Sequence, residues 1–135
     1  MKLVDFLGHW RIEREIVEQA GAVHRLSGTA TFSAVPEGLL YREEGQLVTA
    51  QGHSFSASRI YHWRDAGAGQ IQVLFEDGRD FHYVDLEGGQ PRDQHWCDPD
   101  MYHVSYSFGD WPNWSSSWTV SGPRKDYRMV TRYWR

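Results

Sequence analysis

Apolar and polar residues alternate along most of this chain. Phe55, Ala57, Arg59, Tyr61 and Trp63 share one parity, against Ser54, Ser56, Ser58 and His62 on the other. Leu26, Gly28, Ala30, Phe32 and Ala34 oppose Ser27, Thr29, Thr31 and Ser33. The pattern repeats with Tyr102, Val104, Tyr106 and Phe108, and again with Trp114, Trp118 and Val120. A period of two belongs to strands that bury one face. Trp10, Ile12, Arg14 and Ile16 alternate in the same way. Ile12, Ile16 and Ala20 also fit helical spacing, but nothing else in the chain calls for a long helix, so this segment reads as strand. A short helical turn at Val4–Leu7 is placed to plug one end of a barrel.

Turn signals divide the chain at regular intervals. They fall at Gly21, Pro36-Glu37-Gly38, Gly52, Gly67-Ala68-Gly69, Asp77-Gly78, Gly88-Gly89-Gln90-Pro91, Asp98-Pro99-Asp100, Gly109 to Pro112 and Gly122-Pro123. Asp77-Gly78 suits a type I′ turn, in which both central residues take positive φ. Short strands at this spacing indicate an all-β fold of nine or ten strands. Sequence neighbours then pair antiparallel. Closure into a single up-and-down barrel over residues 1–135 removes the exposed edges of a long meander. A β-sandwich is the alternative.

Composition narrows the class. Aromatic residues make up 15% of the 135 positions, so the apolar content lies in a few large rings and not in a disordered tail. No apolar run approaches the ~18 residues of a membrane helix. The formal charge of −4 lacks the basic footprint of a nucleic-acid binder. Cys97 is the single cysteine and cannot form an internal disulfide. Asp5 interrupts the first apolar stretch, so no secretory signal is evident. Together with the lone thiol, this leads us to expect a reducing cytoplasm.

Candidate chemistry comes from polar groups on the inward parity. Arg14 lies between Ile12 and Ile16, Glu43 follows Tyr41 at strand spacing, and Arg59 lies between Ala57 and Tyr61. A charge inside a barrel costs several kcal/mol unless paired, so Glu43 should pair with Arg59 or Arg14. Such groups either fix strand register or anchor a ligand carboxylate or carbonyl. Tyr41, Tyr61, Tyr83, Tyr102 and Trp118 would form the cavity wall. His95 and Cys97 share a strand face and would line the same cavity. Their spacing matches no zinc signature and no nucleophile triad, and it reads as a buried thiol beside a hydrogen-bonded His. No pattern fixes a haem ligand, although His95 would be the candidate if it points inward. Trp111, Trp114 and Trp118 gather near one rim, and the stretch 109–122 has no Lys or Arg to serve single-stranded nucleic acid. Arg124, Arg128 and Arg132 form a stripe of one parity, which reads as a solvated outer face.

Gly8-His9-Trp10 is similar to the Gly-x-Trp that opens the first strand of lipocalin and calycin barrels, and Arg132 or Arg135 to the Arg that packs over that Trp. A longer likeness runs through Gly8 to Arg14, Gly28 to Phe32, Leu40 to Gly45, Tyr61 to Trp63, Phe75 to Phe81, His95 to Tyr102 and Trp118 to Tyr133. There the chain resembles the domain of unknown function 6314 family, which implies a calycin-like barrel and no established activity. The expected function is binding of a small hydrophobic or amphipathic ligand, with no cofactor, no metal, no nucleic acid and no membrane. The alternatives are an isomerase, cyclase or lyase using His95 or Glu43, a haem-binding barrel, or a filled structural barrel.

Overall fold

The computed structural model describes residues 1–87 and 92–135. A 3₁₀ turn at Leu3–Phe6 precedes ten strands: β1 (Gly8–Glu18), β2 (Val23–Val35), β3 (Gly38–Val48), β4 (Ser54–Gly67), β5 (Gln70–Phe75), β6 (Asp80–Asp85), β7 (Arg92–Cys97), β8 (Asp100–Asp110), β9 (Asn113–Ser121) and β10 (Asp126–Trp134). They form one antiparallel sheet ordered β6-β5-β4-β3-β2-β1-β10-β9-β8-β7. Sequence neighbours pair except for β6 and β7, and β1 joins β10 over Arg11↔Trp134 to Glu18↔Tyr127. The sheet therefore curls into a nearly closed up-and-down barrel, as the turn spacing predicts. The sandwich alternative is set aside.

β6 and β7 end the sheet and meet along a seam that shows no ladder among the described residues. Side chains bridge it instead. The Tyr83 amide donates to Asp93 Oδ2 at 2.6 Å, and the His95 ring lies edge-on to Phe75 and Phe81. The turn expected at Gly88-Gly89-Gln90-Pro91 lies outside the described residues.

One end of the barrel is plugged. Phe6, at the close of the 3₁₀ turn, is fully buried, with its ring 5.0–5.8 Å from Phe32, Trp63, Phe108, Trp111 and Trp114. Trp10 Nε1 donates to the Phe6 carbonyl at 2.8 Å. The Arg135 guanidinium sits 3.9 Å over the Trp10 ring and donates to the carbonyls of Leu7 and Asp5. Of the two arginines considered for this position, Arg135 fills it. Arg132 is exposed, on the outer parity with Arg128.

One local expectation needs correction. Only Gly78 of the Asp77-Gly78 pair has positive φ, at 91°. Phe75 closes on Arg79, and the Gly78 amide donates to the Phe75 carbonyl at 2.9 Å. This is a three-residue loop with glycine at the left-handed position, not a type I′ turn. A bulge then follows in β6. Val73 pairs with His82, but Leu74 pairs with Asp80, leaving Phe81 as the extra residue. The side-chain alternation shifts at that point.

Candidate functional site

The floor of the barrel interior is built from β1, β3 and β10. Gly28 and Gly45 face each other across β2 and β3. A Cβ on Gly28 would run into the Glu44 carbonyl, so the close approach of β2 and β3 here needs the glycine. Arg14 reaches from β1 and forms a bidentate pair with Glu43 on β3, at 2.7 and 2.8 Å. Its Nε donates to Thr131 Oγ1 at 2.7 Å. The Tyr41 hydroxyl donates to Glu43 Oε2 at 2.5 Å. Because its proton is committed there, the Tyr41 oxygen accepts from the Tyr133 hydroxyl, 2.9 Å away. Five side chains from three strands thus form one saturated network. Full satisfaction is what makes buried polar groups tolerable.

Electrostatics follow from this geometry. Burial disfavours the Glu43 charge, but the Arg14 hydrogen bonds and charge, with the Tyr41 donation, outweigh it and hold the carboxyl below its usual range. Burial likewise opposes the Arg14 cation, and Glu43 reverses the effect, so the guanidinium stays charged at any working pH. Burial raises the Tyr41 hydroxyl well above its ordinary value and pushes Tyr133 up to about 12. Glu43 is therefore held ionised with a hydrogen bond on each oxygen, which leaves it no proton to give. As one of the two acid–base candidates of the enzyme alternative, Glu43 would act from this ionised, Arg14-paired state.

Above the network lies a cavity of about 570 Å³. Nine of the residues expected at the site line it: Arg14, Tyr41, Glu43, Arg59, Tyr61, His95, Cys97, Tyr102 and Trp118. Tyr83 does not. It is 46% exposed on the outer face, because the β6 bulge turns both Phe81 and His82 inward and sends Tyr83 out. Cys97, expected to be buried, is exposed at the cavity mouth. Among the described residues, no three His, Cys, Asp or Glu side chains cluster closely enough to hold a metal ion.

The wall is more aromatic than the sequence alone indicated. The Phe81 ring stacks on Phe75 at 4.3 Å and on Trp118 at 5.0 Å. Tyr106, Met129 and Tyr133 also line the cavity. Their strand parities pointed inward, but parity could not say how far along the barrel they sit. His82, near His95 and Cys97 by sequence reasoning, faces inward only because of the bulge. It is buried, with Nε2 2.9 Å from the Tyr106 hydroxyl and Nδ1 without a partner. Burial, with some help from the His95 charge, pushes its pKa down to about 3, so the ring is neutral.

The mouth, at the end away from the plug, carries Arg59, Arg79, Trp96 and Cys97. Arg79 is committed to Asp77 at 2.7 Å and to the Phe75 ring. Lys125, nearby, is held by Asp100 and the Tyr102 hydroxyl. Arg59 is different. Its side chain is 45% exposed, and Nε approaches Glu43 Oε1 only to 3.6 Å, beyond hydrogen-bond range. It is ion-paired to Glu43 without a hydrogen bond, and its side chain reaches the mouth half-exposed.

A family model described as "Family of unknown function (DUF6314)" matches residues 6–135. The S-type phycobiliprotein lyase CPES from Guillardia theta superposes with a TM-score of 0.64 at 9% identity, over 97% of this chain and 87% of that one. The protein EF1p2_mFAP2b bound to DFHBI gives a TM-score of 0.42 at 10% identity, over 96% and 93%. At 9% identity the likeness to the lyase is one of fold. No curated protein matches the chain significantly. Among the described residues, no helix is long and apolar enough to cross a membrane.

Proposed function

The chain belongs to the DUF6314 family, and on that premise we propose that it binds a small, largely apolar ligand bearing one acidic or carbonyl group. One observation carries this reading: an aromatic-walled cavity of about 570 Å³, blind at the plugged end, with a half-exposed guanidinium at its mouth that is ion-paired to Glu43 at 3.6 Å without a hydrogen bond. Pockets of ~300–1,000 Å³ with apolar walls and a few placed polar groups suit small molecules. Arg59 supplies the planar donor fork that orients a carboxylate. Arg14, proposed from sequence for the same task, is spent on Glu43 and Thr131 and acts as the rigid floor instead. Tyr61, Phe75, Phe81 and Trp118 supply the stacking surface. The exposed Cys97 thiol suits a reducing compartment, and a cytoplasmic location is part of this proposal.

A matched pair of fluorescent probes tests it. 8-Anilinonaphthalene-1-sulfonate carries an anion, and N-phenyl-1-naphthylamine is the same skeleton without it. Both should bind with a blue shift and quench tryptophan emission. Arg59→Gln should weaken the sulfonate about tenfold, as for loss of a ~1.5 kcal/mol charge-assisted hydrogen bond. The amine should change less than twofold. Absence of saturable binding by either probe would remove the proposal.

A further inference from the structure

A stretch of sheet edge at the open end of the barrel has no partner. β4 pairs with β3 from Trp63 back to Ser54, but with β5 only from Tyr61 onward, because Phe75, opposite Tyr61, is the last residue of β5. Among the described residues, nothing pairs with the other edge of residues 54–60. A shallow groove lined by Arg59, Ile60, Phe75 and Asp77 opens where the two strands part. Residues 54–60 are all at least partly exposed, Phe55 to 55%. Natural sheets blunt such edges with lysine, proline or a bulge. This one reads Ser-Phe-Ser-Ala-Ser-Arg-Ile and has none of them.

The direction of its backbone groups follows from the turns at both ends. The Thr49 amide donates to the His53 carbonyl at 2.8 Å, so residue 53 points its polar groups toward β3. Residues alternate from there, and the β3–β4 register runs through 54–60 without a shift. The amides and carbonyls of Ser54, Ser56, Ser58 and Ile60 therefore point out of the free edge. The other end agrees, since the Phe75 amide is spent on Arg79, away from Tyr61. An antiparallel second copy centred on Ala57 would use all of these groups. Ser54 then exchanges hydrogen bonds with Ile60 of the second copy and Ser56 with its Ser58, about eight bonds over the four pairs. Any other centre leaves at least one pair unmade. The side chains suit the same register. Ala57 meets its own copy without crowding, and Arg59 meets Phe55 of the second copy, a ring face in place of a like charge. We propose that residues 54–60 form a self-complementary interface through which two copies of the chain pair. The two-fold symmetry closes the edge, so the assembly stops at two. Arg59 also lines the cavity mouth, which sets Phe55 of the second copy beside the ligand entrance. A contact confined to one strand falls below the ~1,200 Å² of a standard interface, so the dimer is a transient one, filled at high concentration.

Sedimentation velocity of the full chain from ~5 to ~500 µM tests it. The average mass should rise from that of one chain toward that of two. Ser58→Pro removes an amide that points out of the sheet, so circular dichroism should show the fold kept while the dimer is lost. Phe55→Arg sets arginines opposite one another and should abolish the dimer as well. On a Cys97→Ser background, Ala57→Cys should form a disulfide-linked dimer under mild oxidation. Ser54→Cys should not, because its two copies would lie far from the symmetry axis. A single chain at the highest concentration, a dimer that survives Ser58→Pro, or equal crosslinking at the two positions would overturn the proposal. So would equal binding of capped peptides carrying residues 54–60 in native and scrambled order, since the edge would then take any extended chain.

Discussion

Arg14 and Glu43 show how much of an interior charge is readable one residue at a time. Each stands on an apolar parity, Arg14 between two isoleucines and Glu43 two positions after Tyr41, and that marks both as buried. The partner could not be read, because the choice between Arg14 and Arg59 depends on how β1, β2 and β3 align. The structure gives the bidentate pair to Arg14 and leaves Arg59 at 3.6 Å. A clear stability prediction results. Arg14→Met should destabilise by ~3–5 kcal/mol in urea unfolding, since it strands a buried carboxylate. Adding Glu43→Leu should recover most of that loss. The pH dependence has a definite sign. Glu43 is depressed when folded, so its contribution is present above its unfolded pKa and disappears as pH falls through the folded value. In Arg14→Met desolvation is opposed only by the Tyr41 donation and the more distant Arg59, so the folded pKa rises and acidification costs the variant less than the parent. The stability gap between the two proteins should therefore narrow from pH 7 to pH 4. A gap independent of pH would mean that lost packing, not lost charge pairing, sets the cost.

At the scale of elements, strand identity was legible and strand detail was not. Alternation and turn spacing located the strands, including β1, where a helical spacing competed. The short plug was also legible, because Val4 to Leu7 precedes a strand that begins with Gly8-His9-Trp10. What escaped was the β6 bulge, a one-residue event that leaves no mark on composition. It moved Tyr83 out and His82 in. The 3₁₀ turn offers a direct check on whether the plug is a structural part of the barrel. Phe6→Ala empties the centre of a ring of five aromatics, and it should cost about 3 kcal/mol by chemical denaturation. Val4→Ala, in the same turn but 56% exposed, should stay within about 0.5 kcal/mol. Equal effects at the two positions would show that the turn contributes helical propensity and not a stopper.

The whole molecule is a tube fastened by backbone pairing along nine strand boundaries and by side chains along the tenth. Closure was inferable from the cost of exposed edges, but the place where the ladder fails was not, since it depends on β1 meeting β10 across the length of the chain. Among the described residues the seam is held by the Asp93–Tyr83 hydrogen bond, the edge-on contacts of His95, and the His82–Tyr106 pair that joins β6 to β8. Side-chain fastenings open more readily than ladders, so hydrogen exchange in β6 and β7 should be faster than in β10, which is paired on both sides. The cavity wall spans the same seam, with Phe81 and His82 on one side and His95 and Cys97 on the other. A ligand touching both sides binds the closed form better than the opened one. At a hundredfold excess over its dissociation constant it raises the opening free energy by up to ~2.7 kcal/mol. Saturation with 8-anilinonaphthalene-1-sulfonate should therefore slow exchange most in β6 and β7, and least in β1 and β2. Asp93→Ala should speed exchange at the Tyr83 amide and weaken the probe modestly, because the open form competes more strongly. Protection spread evenly around the barrel would instead mean that exchange proceeds by global unfolding, and that the seam is no weaker than the rest of the wall.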